Sequence, residues 1–264
     1  MRIYDFEYDG WTLRDKGFIV CKFGSKGLET VSNGSNITFN TVSASRGERH
    51  ELVSTEYGDC LSTTFQICKD TCNVDDKEIS VSEMQDIMSW LNRKSFHKFR
   101  FINDEYIDIY FEGSFNVSKI EIDGRLCGFE LNLITNRPFG LHNPIVVKIE
   151  NTKANEVKKI YSSSDEEGHI YPSMEIVVNS NGNLEIYNEF ENRTMRIANC
   201  KAGEVITVNY PMIESSLSSH KIQNDFNWIF FRLAKTYQNG LNNISISLPC
   251  TITMTYTPIV KVGL

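Results

Sequence analysis

Length, composition and charge describe an ordinary globular protein and exclude several classes. The 264 residues are 41 % hydrophobic and 23 % charged, which suffices for a buried core in one large or two ordinary domains and excludes a disordered chain. The net charge of −7, from 27 basic and 34 acidic residues, is not concentrated in runs. Because binding to phosphates needs clustered Lys and Arg, we predict no sequence-specific contact with nucleic acid.

The N-terminus and the apolar runs argue against secretion and against a membrane span. The opening segment MRIYDFEYDGW contains three acids and no apolar core of the kind a signal peptide has. The most apolar run, WIFFRL at 228–233, ends after six residues and includes Arg232, whereas a membrane helix needs about 20 apolar residues. We expect no membrane insertion and a protein that folds where it is made.

Most of the chain alternates apolar and polar residues with a period of two, which predicts antiparallel strands with one face on a core. Asp123-Gly124, Asn181-Gly182 and Asn239-Gly240 supply residues that adopt the positive φ angles of tight hairpins. This pattern predicts an all-β, mainly antiparallel fold of sandwiches or barrels. The clearest alternating segments are 107–109, 119–122, 129–133 and 244–248.

A polar segment at residues 40–64 predicts a hairpin arm that projects from the N-terminal part. The segment is too polar for a core hairpin, yet it contains the β-formers Val42, Leu52, Val53 and Tyr57. A mobile surface loop is the alternative, although structureless loops of this length are uncommon in compact domains.

One segment has helical periodicity. In SVSEMQDIMSWLNRK, Met84, Ile87, Met88 and Leu91 recur at helical spacing, and a capping box is formed by a serine at position 80 with Glu83. We predict a single helix at about 82–93 that packs its apolar stripe onto a sheet.

Prolines and a glycine in TNRPFGLHNP, residues 135–144, interrupt strand pairing and predict a domain boundary. The two domains would span 1–138 and 139–264. Within the second, WIFFRL has the length of a strand, and Asn239-Gly240 would turn the chain into the strand ISISL. We therefore predict a central strand covered on both faces, with Trp228 and Phe230 in the core.

The residue types that could support catalysis are scattered along the chain. The five histidines stand singly, and no nucleophile motif, zinc motif or phosphate loop is present. Seven cysteines lie apart, and the close pair Cys68 and Cys72 lacks a second pair, so we predict buried thiols, no metal and no cofactor. The acids Glu121 and Asp123 fit a solvated strand end better than a glycosidase pair.

Several segments together resemble the distal tail proteins (Dit) of long-tailed, siphovirus-type phages or prophages. They are the opening DFEYDG at 5–10, the helix followed by a strand, GFEL at 128–131 with RPF at 137–139, and the closing ITMTYTPIV at 252–260. The resemblance spans nearly the whole chain and consists of order and spacing.

The resemblance implies a non-enzymatic virion structural protein. It implies an N-terminal β domain that forms a ring, of six copies, and a C-terminal galectin-like sandwich. The expected partners are further copies of the chain, the tail tube protein, the tail-tip protein and receptor-binding proteins, and the expected location is the virion tail tip after synthesis in the host bacterial cytoplasm. The arm would clasp the neighbouring subunit, and the resemblance covers this region without assigning single residues. The mixed charges of the segment suit a wet, complementary contact. The predicted contact residues are Arg46, Glu48, Arg49, His50, Glu51 and Tyr57.

A carbohydrate-binding or adhesin module that acts through the C-terminal sandwich remains the alternative. A galectin-type site gathers a histidine, an asparagine, an arginine and a tryptophan on one sheet face. His142, Asn143 and Trp228 match that set only in part, because Ile145 stands where the arginine would follow. We therefore assign no galectin-type site from the sequence.

Overall fold

The computed structural model describes residues 5–23, 36–43, 49–70, 78–103 and 106–262. The chain divides into two compact units, residues 1–141 with 261–264 and residues 142–260. The predicted fold class, mainly antiparallel β in two domains, is confirmed. Neither α-helix among the described residues has the length or the apolar character needed to cross a membrane.

The strands of the N-terminal part are short near the start of the chain and long at its centre. In chain order they are β1 (Phe6–Tyr8), β2 (Trp11–Thr12), β3 (Phe18–Cys21), β4 (Ile37–Ser43), β5 (His50–Tyr57), β6 (Ser62–Lys69), β7 (His97–Phe101), β8 (Ile109–Ile122), β9 (Arg125–Thr135) and β10 (Gly140–His142). The main sheet has the antiparallel order β2-β1-β7-β8-β9-β6-β3, whereas β4 and β5 form a separate two-stranded sheet.

The hairpin of β8 and β9 turns at the predicted dipeptide. Asp123 and Gly124 have φ angles of 51° and 77°, and Ile122 pairs with Arg125 across the turn. The two positive φ angles match the twist of the flanking strands. Glu121 and Asp123 are both exposed at this end, so the acid pair lies in solvent, as predicted.

Helix α1 (Val81–Leu91) begins with the predicted capping box between Ser80 and Glu83. Its buried face consists of Ile87, Trp90 and Leu91. The indole nitrogen of Trp90 donates to the backbone oxygen of Tyr8 at 3.0 Å, and the Trp90 ring stacks on Phe6 at 5.8 Å. The helix therefore packs onto the sheet through an aromatic core as well as through its aliphatic stripe.

The second unit contains two facing antiparallel sheets. Its elements in chain order are β11 (Ile145–Asn151), β12 (Glu156–Tyr161), β13 (Gly168–Ile170), β14 (Ser173–Val178), β15 (Gly182–Asn188), β16 (Arg193–Cys200), β17 (Val205–Asn209), β18 (Met212–Ser215), α2 (Ile222–Asp225), β19 (Leu233–Lys235), β20 (Leu241–Ile246), β21 (Cys250–Tyr256) and β22 (Ile259–Val260). One sheet has the order β11-β21-β14-β17-β18, the other β12-β20-β15-β16, and β13 pairs with β19.

The core of this unit comes from strict alternation along the strands. Every second residue of β21 is buried, and the same period in β14 and β15 directs Ile176 and Ile186 into one shared apolar cluster. Two sheets that bury their inner faces against one core form a β-sandwich.

The prediction of a doubly covered strand at WIFFRL is wrong. The chain forms the short helix α2, a second helix that the sequence did not predict, and then runs without strand structure to β19. Trp228 is 57 % exposed, whereas Phe230 is buried. The side chain of Asn227 explains this, because it bonds the backbone of strand β16 at Thr194 and at Arg196. Among the described residues, the backbone of this segment pairs with β16 only at an isolated bridge between Phe226 and Ile197 and through the Asn227 N–H to the Arg196 oxygen. The side-chain bonds of Asn227 take the place of a continuous ladder.

Two of the predicted hairpins are also wrong. Strands β14 and β15, on either side of Asn181-Gly182, lie in different sheets. Strand β19, which precedes Asn239-Gly240, pairs with β13, and β20 pairs with β12 and β15. In a sandwich the chain crosses between sheets at such turns, so an Asn-Gly signal marks a turn without fixing its partners.

Candidate subunit interface

The hairpin of β4 and β5 is the most exposed pair of strands that the structure describes. Ile37 pairs with Tyr57 at its base and Ser43 with His50 at its outer end. The register shifts between Asn40 and Thr41, which is a β-bulge that increases the local twist. Within the described ranges no other strand pairs with either edge of this hairpin.

One face of the hairpin is apolar. Ile37, Phe39 and Thr41 alternate onto this face, and the register adds Leu52 and Tyr57 from β5. Phe39 is 63 % exposed and Leu52 is 59 % exposed. The opposite face is mainly polar, with Thr38 and Asn40, although Val42 also alternates onto it. There the Asn40 amide donates to the Ser54 hydroxyl at 3.0 Å.

Only part of the predicted contact set lies in the described residues. Arg46 and Glu48 lie outside them. The Arg49 guanidinium approaches the Glu51 carboxylate at 3.8 Å, with both side chains in solvent. His50 is exposed at the start of β5. An exposed ion pair of this kind contributes little to stability by itself.

Tyr57 has a different position from the other predicted residues. It is half-buried at the base of the hairpin, where its ring meets Phe139 edge to face at 6.2 Å. Beside it, the backbone N–H of Gly58 donates to the Asn36 oxygen at 2.7 Å. These contacts fix the point at which the hairpin leaves the sheet.

The sequence-based prediction missed Ile37 and Phe39. It placed the start of the arm at residue 40, whereas β4 begins at Ile37. The signal was present in the alternation of ITFNTV, which places Ile37 and Phe39 on one side. Together the exposed apolar face and the open strand edges can pair with the backbone of another chain and bury apolar surface against it.

A buried ionic cluster links strands β17 and β18 to α2. Glu204 is fully buried and accepts hydrogen bonds from the Ser215 hydroxyl at 2.6 Å and from the Lys201 N–H at 2.9 Å. His220 Nδ1 lies 2.5 Å from Glu204, and its Nε2 lies 3.2 Å from Asp225. Ser215 and His220 both bond the carboxylate, so the histidine is not arranged to activate the serine as a nucleophile.

The pKa of Glu204 reflects these bonds. Burial alone would raise the pKa of this carboxyl, but the hydrogen bonds from Ser215, His220 and Lys201 together hold the pKa below its ordinary value of 4.5. The carboxylate is therefore the stable form inside the domain, and the cluster holds the segment after β18 against the sandwich.

The prediction of buried thiols and no metal site can be compared with the structure only at the residues that the structure describes. In those residues no group of three or more His, Cys, Asp or Glu side chains is placed to hold a metal ion. Cys200 and Cys250 are buried, and burial raises the pKa of each thiol to about 11. Cys60 is exposed, contrary to the expectation of buried thiols. Cys72 lies outside the described residues.

Comparisons with known proteins match both halves of the chain. Residues 1–137 match a family model described as a phage tail protein N-terminal domain, and residues 139–256 match one described as a phage tail C-terminal domain. The crystal structure of the SPP1 Dit protein, described as a paradigm of the hub adsorption apparatus in phages that infect Gram-positive bacteria, has a similar fold. The TM-score is 0.67 at 10 % identity, and the match covers 97 % of this chain and 99 % of that one.

A search among curated protein sequences finds no match. At 10 % identity the likeness to the SPP1 protein concerns the fold, which agrees with the resemblance to distal tail proteins. The two family models together cover nearly the entire sequence. The chain therefore belongs to a family of phage tail proteins.

Proposed function

We propose that this phage tail protein is a non-enzymatic distal tail hub, a closed ring of six copies at the tail tip. The ring would join the tail tube protein to the tail-tip protein and hold receptor-binding proteins. The membership in a phage tail family and the Dit-like fold over nearly the full length support this assignment. A structural hub of this kind needs a defined shape and stable contacts with its partners, and it catalyses no reaction.

The observation that carries the proposal is the exposed hairpin of β4 and β5. This hairpin corresponds to the arm predicted at 40–64, and from here on the arm means residues 37–57. An isolated two-stranded hairpin is marginally stable in water. Its apolar face, centred on Phe39 and Leu52, would gain stability from a covering surface. A neighbouring copy can supply that surface along with strand edges for backbone pairing.

The geometry of such a contact leads to a ring. The arm of one subunit would bind the body of the next, so the two surfaces in contact are different. Contacts of this head-to-tail kind close into rings when the rotation between neighbours divides a full turn. The number six comes from the resemblance to distal tail proteins. Arg49 and Glu51 would then lie at the solvated rim of the contact.

The test replaces residues 38–56 with a short Gly-Ser linker. This cut leaves the bond between Gly58 and Asn36 at the base, so the body should fold and unfold thermally at nearly the parent temperature. We expect the variant to remain monomeric in native mass spectrometry and to be absent from assembled tails. A folded variant that still builds normal rings would show that the arm is only a surface loop.

A further inference from the structure

A row of aromatic side chains lies on the surface of the second unit. Trp228 and Phe226 pack at 5.6 Å, Phe226 and Phe230 at 4.9 Å, and Phe230 and Tyr210 at 5.2 Å between ring centres. Tyr210 then stacks nearly parallel on Tyr171 at 4.1 Å. We call these five residues the aromatic platform. Trp228 and Tyr210 are each more than half exposed, and the two phenylalanines beneath them are buried.

Trp228 is held outward by its surroundings. Its φ of 57° is in the left-handed region, which bulky residues rarely adopt and which costs of order 1–3 kcal/mol. The side chain of Asn227 fixes the loop by bonds to Thr194, Arg196 and Ile229. Buried Phe226 and Phe230 anchor it on both sides. Strain of this kind persists only where surrounding contacts impose it, and it is concentrated at binding sites.

The size of the exposed surface favours a small ligand. Two aromatic rings that are each about half exposed offer on the order of 200 Å², since a whole aromatic side chain buries about 150–250 Å². A stable protein interface needs about 800 Å² per partner. The platform is therefore much smaller than a subunit contact, and it suits a ligand of a few rings.

The polar groups at the Tyr171 end add hydrogen-bonding capacity. Arg232 binds the Glu191 carboxylate at 2.7 Å and 2.8 Å, so this pair carries no net charge. His169 lies edge to face with Tyr171 at 5.3 Å and 3.4 Å from Arg232. Burial, followed by the charge of Arg232, lowers the pKa of His169 below 6.5, so the imidazole is neutral at pH 7. These groups, together with the Arg193 guanidinium that donates to the Phe230 backbone oxygen at 3.2 Å, offer donors and acceptors to hydroxyls.

We propose that the aromatic platform binds a neutral oligosaccharide, with pyranose rings against the exposed surfaces of Trp228 and Tyr210. A pyranose has an apolar face of C–H groups and an edge of hydroxyls. The negatively polarised face of an aromatic ring attracts the C–H face, and the pair of Arg232 and Glu191 can bond the hydroxyls. The proposal does not depend on ring formation, because all of these residues lie in residues 142–260 of one chain.

The experiment screens the full-length protein on an array of defined neutral oligosaccharides built from hexoses and N-acetylhexosamines. The best binder is then titrated by calorimetry. Trp228→Asn keeps a residue that tolerates the left-handed backbone and removes the ring. Tyr237→Ala is the matched control, because Tyr237 is 87 % exposed and is not one of the five platform residues. We expect about tenfold weaker binding for Trp228→Asn and unchanged binding for Tyr237→Ala.

Three results would overturn the proposal. The first is a parent protein that binds no oligosaccharide on the array. The second is binding that both variants retain equally. The third is self-association of the parent, seen in sedimentation and lost in Trp228→Asn without any saccharide binding, which would make the platform a protein contact. Because monomers suffice for the titration, a failure here is separable from a failure of the ring.

Discussion

Trp228 and Phe230 are two residues apart, and their surroundings are opposite. The run of apolar residues predicted one strand that contains both. A hydropathy pattern records which side chains are apolar, but it does not show which hydrogen bonds a neighbouring polar side chain will form. Asn227 bonds the edge of strand β16, which prevents a regular strand and turns Trp228 to solvent. The prediction that Phe230 is buried is confirmed, although the strand from which it was argued is absent. The exposure of Trp228 depended on a long-range hydrogen bond that no local pattern reveals.

This difference can be measured by paired substitutions. Trp228→Gly should change the free energy of unfolding by less than about 1 kcal/mol, because the exposed ring is lost while glycine relieves the left-handed backbone. Phe230→Ala should lower it by about 3–5 kcal/mol, as large-to-small changes in a core do. Urea denaturation of both variants tests this. Equal losses in the two would restore the buried-strand interpretation.

The Glu204 carboxylate should make stability depend on pH in the acid range. Its pKa in the folded protein is below the ordinary 4.5, so its contribution is complete above pH 4.5 and is lost as the pH falls through the folded pKa. His220, Asp225 and Ser215 are the groups that surround it. Glu204→Gln should cost about 3 kcal/mol at pH 7, because a buried partner is removed.

Urea midpoints of the parent and of Glu204→Gln at pH 7, 5 and 4 provide the measurement. The gap between the two free energies of unfolding should narrow as the pH falls from 5 to 4, where the Glu204 carboxylate of the parent becomes protonated. Glu185→Gln is a suitable control, since Glu185 forms an exposed pair with Arg196 and should change stability little. A gap that widens on acidification would contradict the assignment of a depressed pKa.

At the scale of elements, the sequence was informative where the chemistry is local. The capping box at Ser80 and the Asp123-Gly124 turn depend on residues within four positions, and both are present. The pairings of β14 with β21 and of β12 with β20 join residues about 80 positions apart. Period-two patterns identify such strands but carry no information on their partners, so the sheet orders were beyond sequence reasoning.

The two faces of the arm should differ in their effect on assembly. Phe39→Ser and Leu52→Ser remove apolar surface that is exposed in the single chain, so each should leave the unfolding free energy within about 0.5 kcal/mol of the parent. Each should weaken ring formation by about tenfold or more, since burying such a side chain contributes about 1.5–3 kcal/mol.

Asn40→Ser is the control on the polar face, next to Phe39 in the chain and opposite it in orientation. It should change assembly far less than Phe39→Ser. Native mass spectrometry over a dilution series gives the dissociation midpoint of each variant. If Asn40→Ser disrupts rings as strongly as Phe39→Ser, the apolar face is not the contact and backbone pairing or the polar face must carry it.

For the whole molecule, the important property is that each chain carries one arm. Among the described residues of the first unit, the strands of the arm pair only with each other, while the two sheets of the second unit bury their inner faces in one core. If the arm binds the body of a neighbour, every subunit has one donor surface and one acceptor surface. Directional association of this kind differs from a symmetric dimer, in which the same surface is used by both partners.

Directionality can be tested by mixing. A chain whose residues 38–56 are replaced by a Gly-Ser linker would lack the donor surface and keep the acceptor, so it can end a growing assembly but cannot close it. With one such chain in four, only about a fifth of six-membered assemblies would contain none of them, since each position is filled independently. Ring yield in native mass spectrometry should fall steeply to that level, and open assemblies ending in one variant chain should appear. Ring yield that falls only in proportion to the parent fraction would mean that the variant does not enter assemblies at all, and the arm would not be the donor in a head-to-tail contact.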